Sequence, residues 1–77
     1  MFTDNLKVQI GKELQKLRID KDITIKELAR LSGVNETTIG RYENGKGNDL
    51  NILGKMLSVY DTNFDIFFEK CYASMHD

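Results

Sequence analysis

The chain has 77 residues, of which 40% are hydrophobic and 30% charged, and its net charge at pH 7 is −1. That length allows one domain with a single small core, and the composition excludes a disordered chain. No apolar run is long enough to cross a membrane, and residues 1–5 lack the features of a signal peptide. One cysteine cannot form an internal disulfide, which fits a reducing compartment. We therefore predict one cytoplasmic domain over residues 1–77.

Basic and acidic residues are distributed unevenly along the chain, although the net charge is low. Residues 1–46 contain nine Lys and Arg against seven Asp and Glu, whereas residues 47–77 contain two against five. A locally basic face attracts a polyanion even when the whole chain is nearly neutral. Chance also produces an asymmetry of this size, so charge alone leaves nucleic-acid binding open.

Two helices are predicted in the first half of the chain. Residues 4–21 carry hydrophobic side chains every three to four positions, the period of one helix face, at Leu6, Ile10, Leu14 and Leu17. The second helix starts at a capping box formed by Thr24 and Glu27. It ends at Gly33, a residue that adopts the left-handed conformation of a helix terminus without strain.

Three further helices are predicted after Gly33. Asn35 is a good N-cap for a short helix that runs to about residue 43, and the glycine-rich segment that follows forces a loop. A fourth helix spans about residues 49–60. The fifth spans about residues 64–74, with a capping box predicted from Thr62 and Asp65. No segment alternates with the period of a strand, so the sequence predicts an all-α fold of five short helices.

The segment from Thr24 to Gly45 consists of two short predicted helices joined by a tight glycine turn, as in a helix-turn-helix. Three stretches resemble the Cro/repressor-type (Xre) helix-turn-helix family: Ile23–Ala29, Ser32–Asn35 and Thr38–Lys46, which ends in Glu-Asn-Gly-Lys. The similarity covers about residues 6–69. It implies a compact five-helix, lambda-repressor-like DNA-binding domain whose helix-turn-helix core is about residues 24–45, often dimeric on a two-fold operator.

The resemblance also implies which residues contact DNA, because the third helix would lie in the major groove. The residues carried over as base-reading are Asn35, Glu36, Thr37, Gly40 and Arg41. Arginine can donate two hydrogen bonds to guanine, and glutamate can accept one from cytosine. Glu36 has a second interpretation, since a carboxylate in the first turn also stabilises a helix through its dipole.

Flanking positions are carried over from the family as contacts to DNA phosphate: Arg18, Thr24, Asn44 and Lys46. Arg18 also matches a family arginine that pairs with the glutamate equivalent to Glu43, which would fix the first helix to the third. The chain departs from the family at three positions. Ile25 replaces a glutamine that touches phosphate, Asn48 replaces a common proline, and Gly54 interrupts the fourth helix.

The fifth helix offers more apolar surface than one small core needs. We expect Phe64 and Phe67 to pack inward. The remaining residues form the predicted two-fold dimer interface: Phe68, Cys71, Tyr72 and Met75. The alternative is a purely intramolecular cap.

Catalysis is not predicted, because Cys71 and His76 have no base, orienting group or metal-ligand spacing beside them. Residues 40–47 match the spacing of a phosphate-binding P-loop, but Gly47 stands where the metal-binding hydroxyl belongs. We predict no enzyme activity, no cofactor and no metal. The leading hypothesis is a sequence-specific DNA-binding transcriptional regulator, and a repressor in particular, acting as a homodimer. The alternative is an antitoxin or protein-interaction module that binds DNA together with a toxin or other protein partner.

Overall fold

Side-chain caps define where each helix of the protein begins. In the structure, a computed structural model that describes residues 2–76, the five helices are α1 (Asp4–Asp20), α2 (Ile25–Ser32), α3 (Glu36–Glu43), α4 (Leu50–Val59) and α5 (Phe64–Met75). Their N-caps are Thr3, Thr24, Asn35, Asp49 and Asn63, each of which accepts a hydrogen bond from a backbone N–H of the first turn. Such caps each stabilise a helix by about 1 kcal/mol. The predicted all-α fold is confirmed.

Two predicted capping boxes differ from the structure. Thr24 accepts from the Glu27 N–H at 3.1 Å, but the Glu27 carboxylate turns forward to Arg30 instead of back to the cap. At α5 the cap is Asn63, whose Oδ1 accepts from the Ile66 N–H at 2.9 Å, so the box predicted from Thr62 is wrong. The physical reason is that asparagine and threonine both serve as caps, and the two positions are adjacent.

Every helix contributes one face to the hydrophobic core. Its buried hydrophobic residues are Leu6, Ile10, Leu14, Leu28, Val34, Ile39, Tyr42, Leu53, Met56, Leu57, Phe67 and Cys71. Helix α1 contacts both α3 and α5, while α2 contacts α3 and α4. Because α1 lies between α3 and α5, it holds both in place. Within the described residues, no helix is long and apolar enough to cross a membrane.

Two glycines bring the elements of the helix-turn-helix together. Gly33 ends α2 with φ of 77°, a left-handed conformation that glycine adopts without steric penalty. Gly11 lies where α1 meets the end of α3, and a Cβ there would stand 2.6 Å from the Tyr42 carbonyl oxygen and 2.7 Å from that of Glu43. Only a residue without a side chain permits this approach, so the two helices pack backbone against backbone.

The three departures from the family pattern each have a structural partner. Asn48 accepts the Phe2 N–H through its side-chain Oδ1 at 2.8 Å. A Cβ on Gly54 would stand 3.3 Å from the Phe64 ring, so the missing side chain leaves room for that aromatic residue. Ile25 is half-buried against the core. Asn48 therefore serves as a hydrogen-bond acceptor in this chain, whereas Gly54 and Ile25 serve packing.

Candidate nucleic-acid interface

Helix α3 is buried on one side and open on the other. Ile39 and Tyr42 are 0% and 3% exposed and fix the helix in the core. The opposite face carries Glu36, Thr37 and Arg41 in the open, with half-buried Gly40 between them. Positions i, i+1, i+4 and i+5 lie on one face of an α-helix. The structure therefore brings four of the five predicted base-reading residues onto one exposed surface.

The fifth residue of that set, Asn35, is exposed but already has a structural role. Its Oδ1 accepts the Thr38 N–H at 2.8 Å and caps α3. The cap uses one lone pair of its amide oxygen, and the second lone pair and the NH₂ group are left for an outside partner. Glu36 lies in the first turn of the same helix, where its carboxylate complements the helix dipole.

Arg18 and Glu43 form a two-pronged ion pair that braces α3 against α1. The Arg18 Nε donates to Glu43 Oε2 at 2.7 Å, and its Nη2 donates to Oε1 at 3.1 Å. A third donor, Nη1, reaches the Ile23 carbonyl at 3.0 Å, just before α2. The hydrogen bond to Glu43 raises the pKa of the Arg18 guanidinium above its ordinary value. The structure contains the predicted pair, which ties α1 to α3 and to the segment just before α2.

The second role predicted for Arg18, a contact to DNA phosphate, stays a prediction. Its side chain is 15% exposed, and three of its five donors are bound within the protein. Arg18 therefore acts as a brace between the helices, and two of its N–H donors have no partner among the described residues. The other predicted phosphate contacts, Thr24, Asn44 and Lys46, are all exposed.

Tyr60 lies beside the Arg18–Glu43 pair. The sequence predicts it only as an apolar position at the end of the fourth helix and assigns no role to its hydroxyl. Its hydroxyl is buried and has no hydrogen-bond partner within residues 2–76. Burial, together with the nearby Glu43 carboxylate, raises the pKa of Tyr60 to about 12. The spacing of the sequence gives no signal for this contact, because it joins the end of α4 to α1 and α3.

The α3–α4 loop, residues 44–49, closes over the ring of Tyr42. The Tyr42 hydroxyl donates to the Asp49 carbonyl at 2.6 Å and accepts the Asp49 N–H at 2.7 Å. Burial raises the pKa of this hydroxyl above its ordinary value. Beside the loop is a notch of about 290 Å³ whose lining includes Arg41 and Lys46. The structure thus places the predicted base-reading arginine and the predicted phosphate-binding lysine around one opening.

One of the four predicted dimer residues of α5 does not reach the surface. Tyr72 is 49% exposed, and Phe68 and Met75 are half-buried. Cys71 is 0% exposed, so its place in the interface was wrong, and burial raises its thiol pKa to about 12. Phe64 was also placed wrongly, since it is 38% exposed and stacks on Phe68 with ring centroids 6.0 Å apart. The physical reason is that α1 packs along the Phe67 and Cys71 side of α5.

A shallow apolar surface does exist at this end of the molecule. It surrounds a cavity of about 390 Å³ lined by Phe2, Leu6, Leu50, Phe68 and Tyr72. We call these five residues the apolar face. It combines α5 with the starts of α1 and α4, a combination that reading α5 alone does not predict.

The fold and the exposed face of α3 define a helix-turn-helix DNA-binding domain. A family model described as helix-turn-helix matches residues 14–67, more than half of the chain. The chain belongs to the Cro/repressor-type (Xre) helix-turn-helix family and is a DNA-binding transcriptional regulator. Among solved structures it is similar to a tyrosine-to-phenylalanine mutant of the restriction-modification controller protein C.Esp1396I, with a TM-score of 0.82 and 22% identity over 94% of this chain and 92% of that chain. At that identity the similarity shows the fold. No curated protein matches the chain.

Proposed function

We propose that residues 1–77 act in the cytoplasm as one domain, a sequence-specific repressor that binds a two-fold operator as a homodimer. The observation that carries this proposal is the face of α3 formed by Glu36, Thr37, Gly40 and Arg41, exposed on a helix that is otherwise fixed in the core. A helix of about 10–12 Å diameter fits the major groove of B-DNA, where these side chains meet base edges.

The chemistry of the face favours selectivity. The Arg41 guanidinium can donate to the O6 and N7 of guanine, while the Glu36 carboxylate accepts from cytosine N4 and repels phosphate. The Thr37 hydroxyl and methyl can meet either a base edge or a thymine methyl. Gly40 projects no side chain and has nothing within 4 Å of its Cβ position, so it permits close approach of the backbone.

Contacts to phosphate flank this face in the proposed complex. Lys46 and Asn44 lie on the loop just past α3, and Thr24 lies at the start of α2. Such contacts fix the register of a protein on DNA and carry no sequence information. A neutral chain with few phosphate contacts binds one half-site weakly, which favours a dimer.

The apolar face is the surface we assign to the second copy. Leu50 and Tyr72 are 38% and 49% exposed on it, and a two-fold interface places the same patch on both partners. Occupancy of an operator that overlaps a promoter is enough to block transcription, so repression requires only the DNA-reading helix and the dimer.

Selection from a random duplex library tests the proposal. The full chain is expected to enrich an inverted repeat whose half-sites lie about 10 base pairs, or one helical turn, apart, or a multiple of that spacing. Transcription from a promoter carrying the selected site should fall as the protein is added. Failure to enrich any sequence would contradict sequence-specific binding, and a rise in transcription would contradict repression while leaving DNA binding intact.

A further inference from the structure

The α3–α4 loop is exposed, yet hydrogen bonds hold it at both ends. On its first side, the Lys46 N–H donates to the Arg41 carbonyl at 2.9 Å, and the Gly45 N–H donates to the Tyr42 carbonyl at 3.1 Å. These bonds continue the end of α3 but do not reach residues 47–49. There, the Asn48 side chain accepts the Phe2 N–H at 2.8 Å, and the remaining contacts lie around Gly47 and Asp49.

The Tyr42 side chain supplies those contacts. Its hydroxyl bonds both backbone groups of Asp49, and Asp49 caps α4 through its own side chain. A Cβ on Gly47 would overlap the Tyr42 ring, so the loop backbone lies flat against it. The Tyr42 side chain thus links the last turn of α3 to Asp49, the N-cap of α4. Lys46 lies in the loop between these two points.

We propose that Tyr42 is a positioning residue for the DNA contact of this loop. Its hydroxyl holds Asp49 and its ring supports Gly47, so the backbone that follows Lys46 is fixed in the conformation that presents Lys46 to a phosphate. Little loop entropy is then lost when DNA binds. The inference rests on the proposed function, because it assumes that Lys46 meets phosphate. A positioning role can be distinguished from a purely structural one. If Tyr42 positions Lys46, the effects of substituting the two residues on DNA affinity are not additive.

The test is a double-mutant cycle of Tyr42→Phe and Lys46→Ala in the full chain, with Tyr60→Phe as the matched control. Phenylalanine keeps the ring on Gly47 and removes only the hydroxyl. Tyr60→Phe makes the same chemical change at a hydroxyl that has no partner within the described residues. Affinity is measured by fluorescence anisotropy for the selected duplex and for a scrambled duplex of equal composition, well below the unfolding temperature of every variant.

Tyr42→Phe is expected to weaken binding to both duplexes by about 3- to 10-fold, the cost of ordering one mobile contact segment. In the Lys46→Ala background the same change should cost less than about twofold, because the contact it positions is gone. Tyr60→Phe should leave affinity unchanged. In the free protein, backbone order parameters of residues 47–49 should fall from about 0.85 to below about 0.6 in Tyr42→Phe.

Two results overturn the inference: unchanged order parameters in Tyr42→Phe, or an equal loss of affinity with and without Lys46. The proposed function fails in a different experiment, the library selection, when no sequence is enriched. The Lys46 contact has its own test. If Lys46→Ala alone leaves both affinities and their salt dependence unchanged, then Lys46 does not meet phosphate, and the role of Tyr42 is overturned with it.

Discussion

Polar contacts of individual side chains hold α3 in place, and the shielded polar groups around it differ in whether they have hydrogen-bond partners. The Arg18–Glu43 pair is bidentate and shielded, with side chains 15% and 6% exposed. Tyr42 uses its hydroxyl as both donor and acceptor, whereas the Tyr60 hydroxyl has no partner within residues 2–76. These differences predict that the same substitution, tyrosine to phenylalanine, changes the free energy of unfolding in opposite directions at Tyr42 and at Tyr60.

Breaking the Arg18–Glu43 pair from one side is expected to cost more than removing both members. Glu43→Ala leaves a shielded guanidinium without its countercharge and should lower the free energy of unfolding by about 3 kcal/mol. Adding Arg18→Met should recover part of that loss. Urea unfolding of the two single variants and the double variant measures the coupling. Strict additivity, with each change within about 1 kcal/mol, would show an independent surface pair and remove the brace.

Tyr60→Phe is expected to stabilise the protein by about 1 kcal/mol at neutral pH, because it removes a buried hydroxyl that lacks a partner among residues 2–76. Tyr42→Phe should destabilise it, since it orphans the Asp49 backbone groups. The folded state raises the pKa of Tyr60 from 10.0 to about 12, so the unfolded state loses that proton first. Stability should therefore fall as the pH rises from 10 to 12, and less steeply in Tyr60→Phe. Identical slopes for the variant and the wild type would contradict the buried environment of Tyr60.

At the scale of helices, contact between α1 and α3 decides how the exposed face of α3, the proposed DNA-reading face, is oriented. Gly11 lets the two backbones approach, and Gly40 leaves open space on the opposite side of α3. Substitution by alanine should therefore affect helix packing at Gly11 and DNA binding at Gly40.

Gly11→Ala is expected to destabilise the domain strongly, because its Cβ would stand 2.6 Å from a carbonyl oxygen of α3. Gly40→Ala should instead raise the free energy of unfolding by about 0.5–1 kcal/mol, the gain of alanine over glycine inside a helix. The same variant should bind the selected duplex more weakly if DNA approaches α3 there. Thermal unfolding and anisotropy measure the two effects. A stabilised Gly40→Ala with unchanged affinity would remove Gly40 from the proposed interface.

The elements were predictable from the sequence because their signals are local. The caps Thr24 and Asn35, the terminator Gly33 and the helical periods all act within a few residues. The faces of α5 were not predictable, since Cys71 is buried by α1, about sixty residues earlier in the chain. The link from Tyr42 to the Asp49 backbone was also missed, because tyrosine in an apolar position gives no sign of where its hydroxyl points.

The whole molecule presents two surfaces with different chemistry. One carries the exposed side of α3 and the α3–α4 loop, with Arg41 and Lys46 around a notch. The other is the apolar face, where side chains from the starts of α1 and α4 meet α5. Phe2 connects the two, since its N–H reaches Asn48 in the loop and its ring packs against Phe68 at 6.0 Å.

A charge placed on the apolar face should separate the proposed dimer. Tyr72→Glu is expected to give monomers in analytical ultracentrifugation and to weaken binding to the selected inverted repeat far more than to a single half-site. Ile19→Glu, at a side chain that is 61% exposed and outside that face, is the matched control and should remain dimeric. A wild-type chain that sediments as a monomer at all concentrations, or a dimeric Tyr72→Glu, would exclude this face as the interface.

The most direct test of the central claim, that the exposed face of α3 reads DNA sequence, is the affinity of Arg41→Ala for the selected and the scrambled duplex. At fixed salt, and with the fold checked by circular dichroism, the variant should lose about 1–3 kcal/mol on the selected duplex and relax the preference at one base pair. The scrambled duplex should be affected far less. Lys46→Ala is the contrasting control, because a phosphate contact weakens both duplexes alike and lowers the salt slope by about one. An Arg41→Ala variant that loses affinity equally on both duplexes, or on neither, would contradict the reading role of α3.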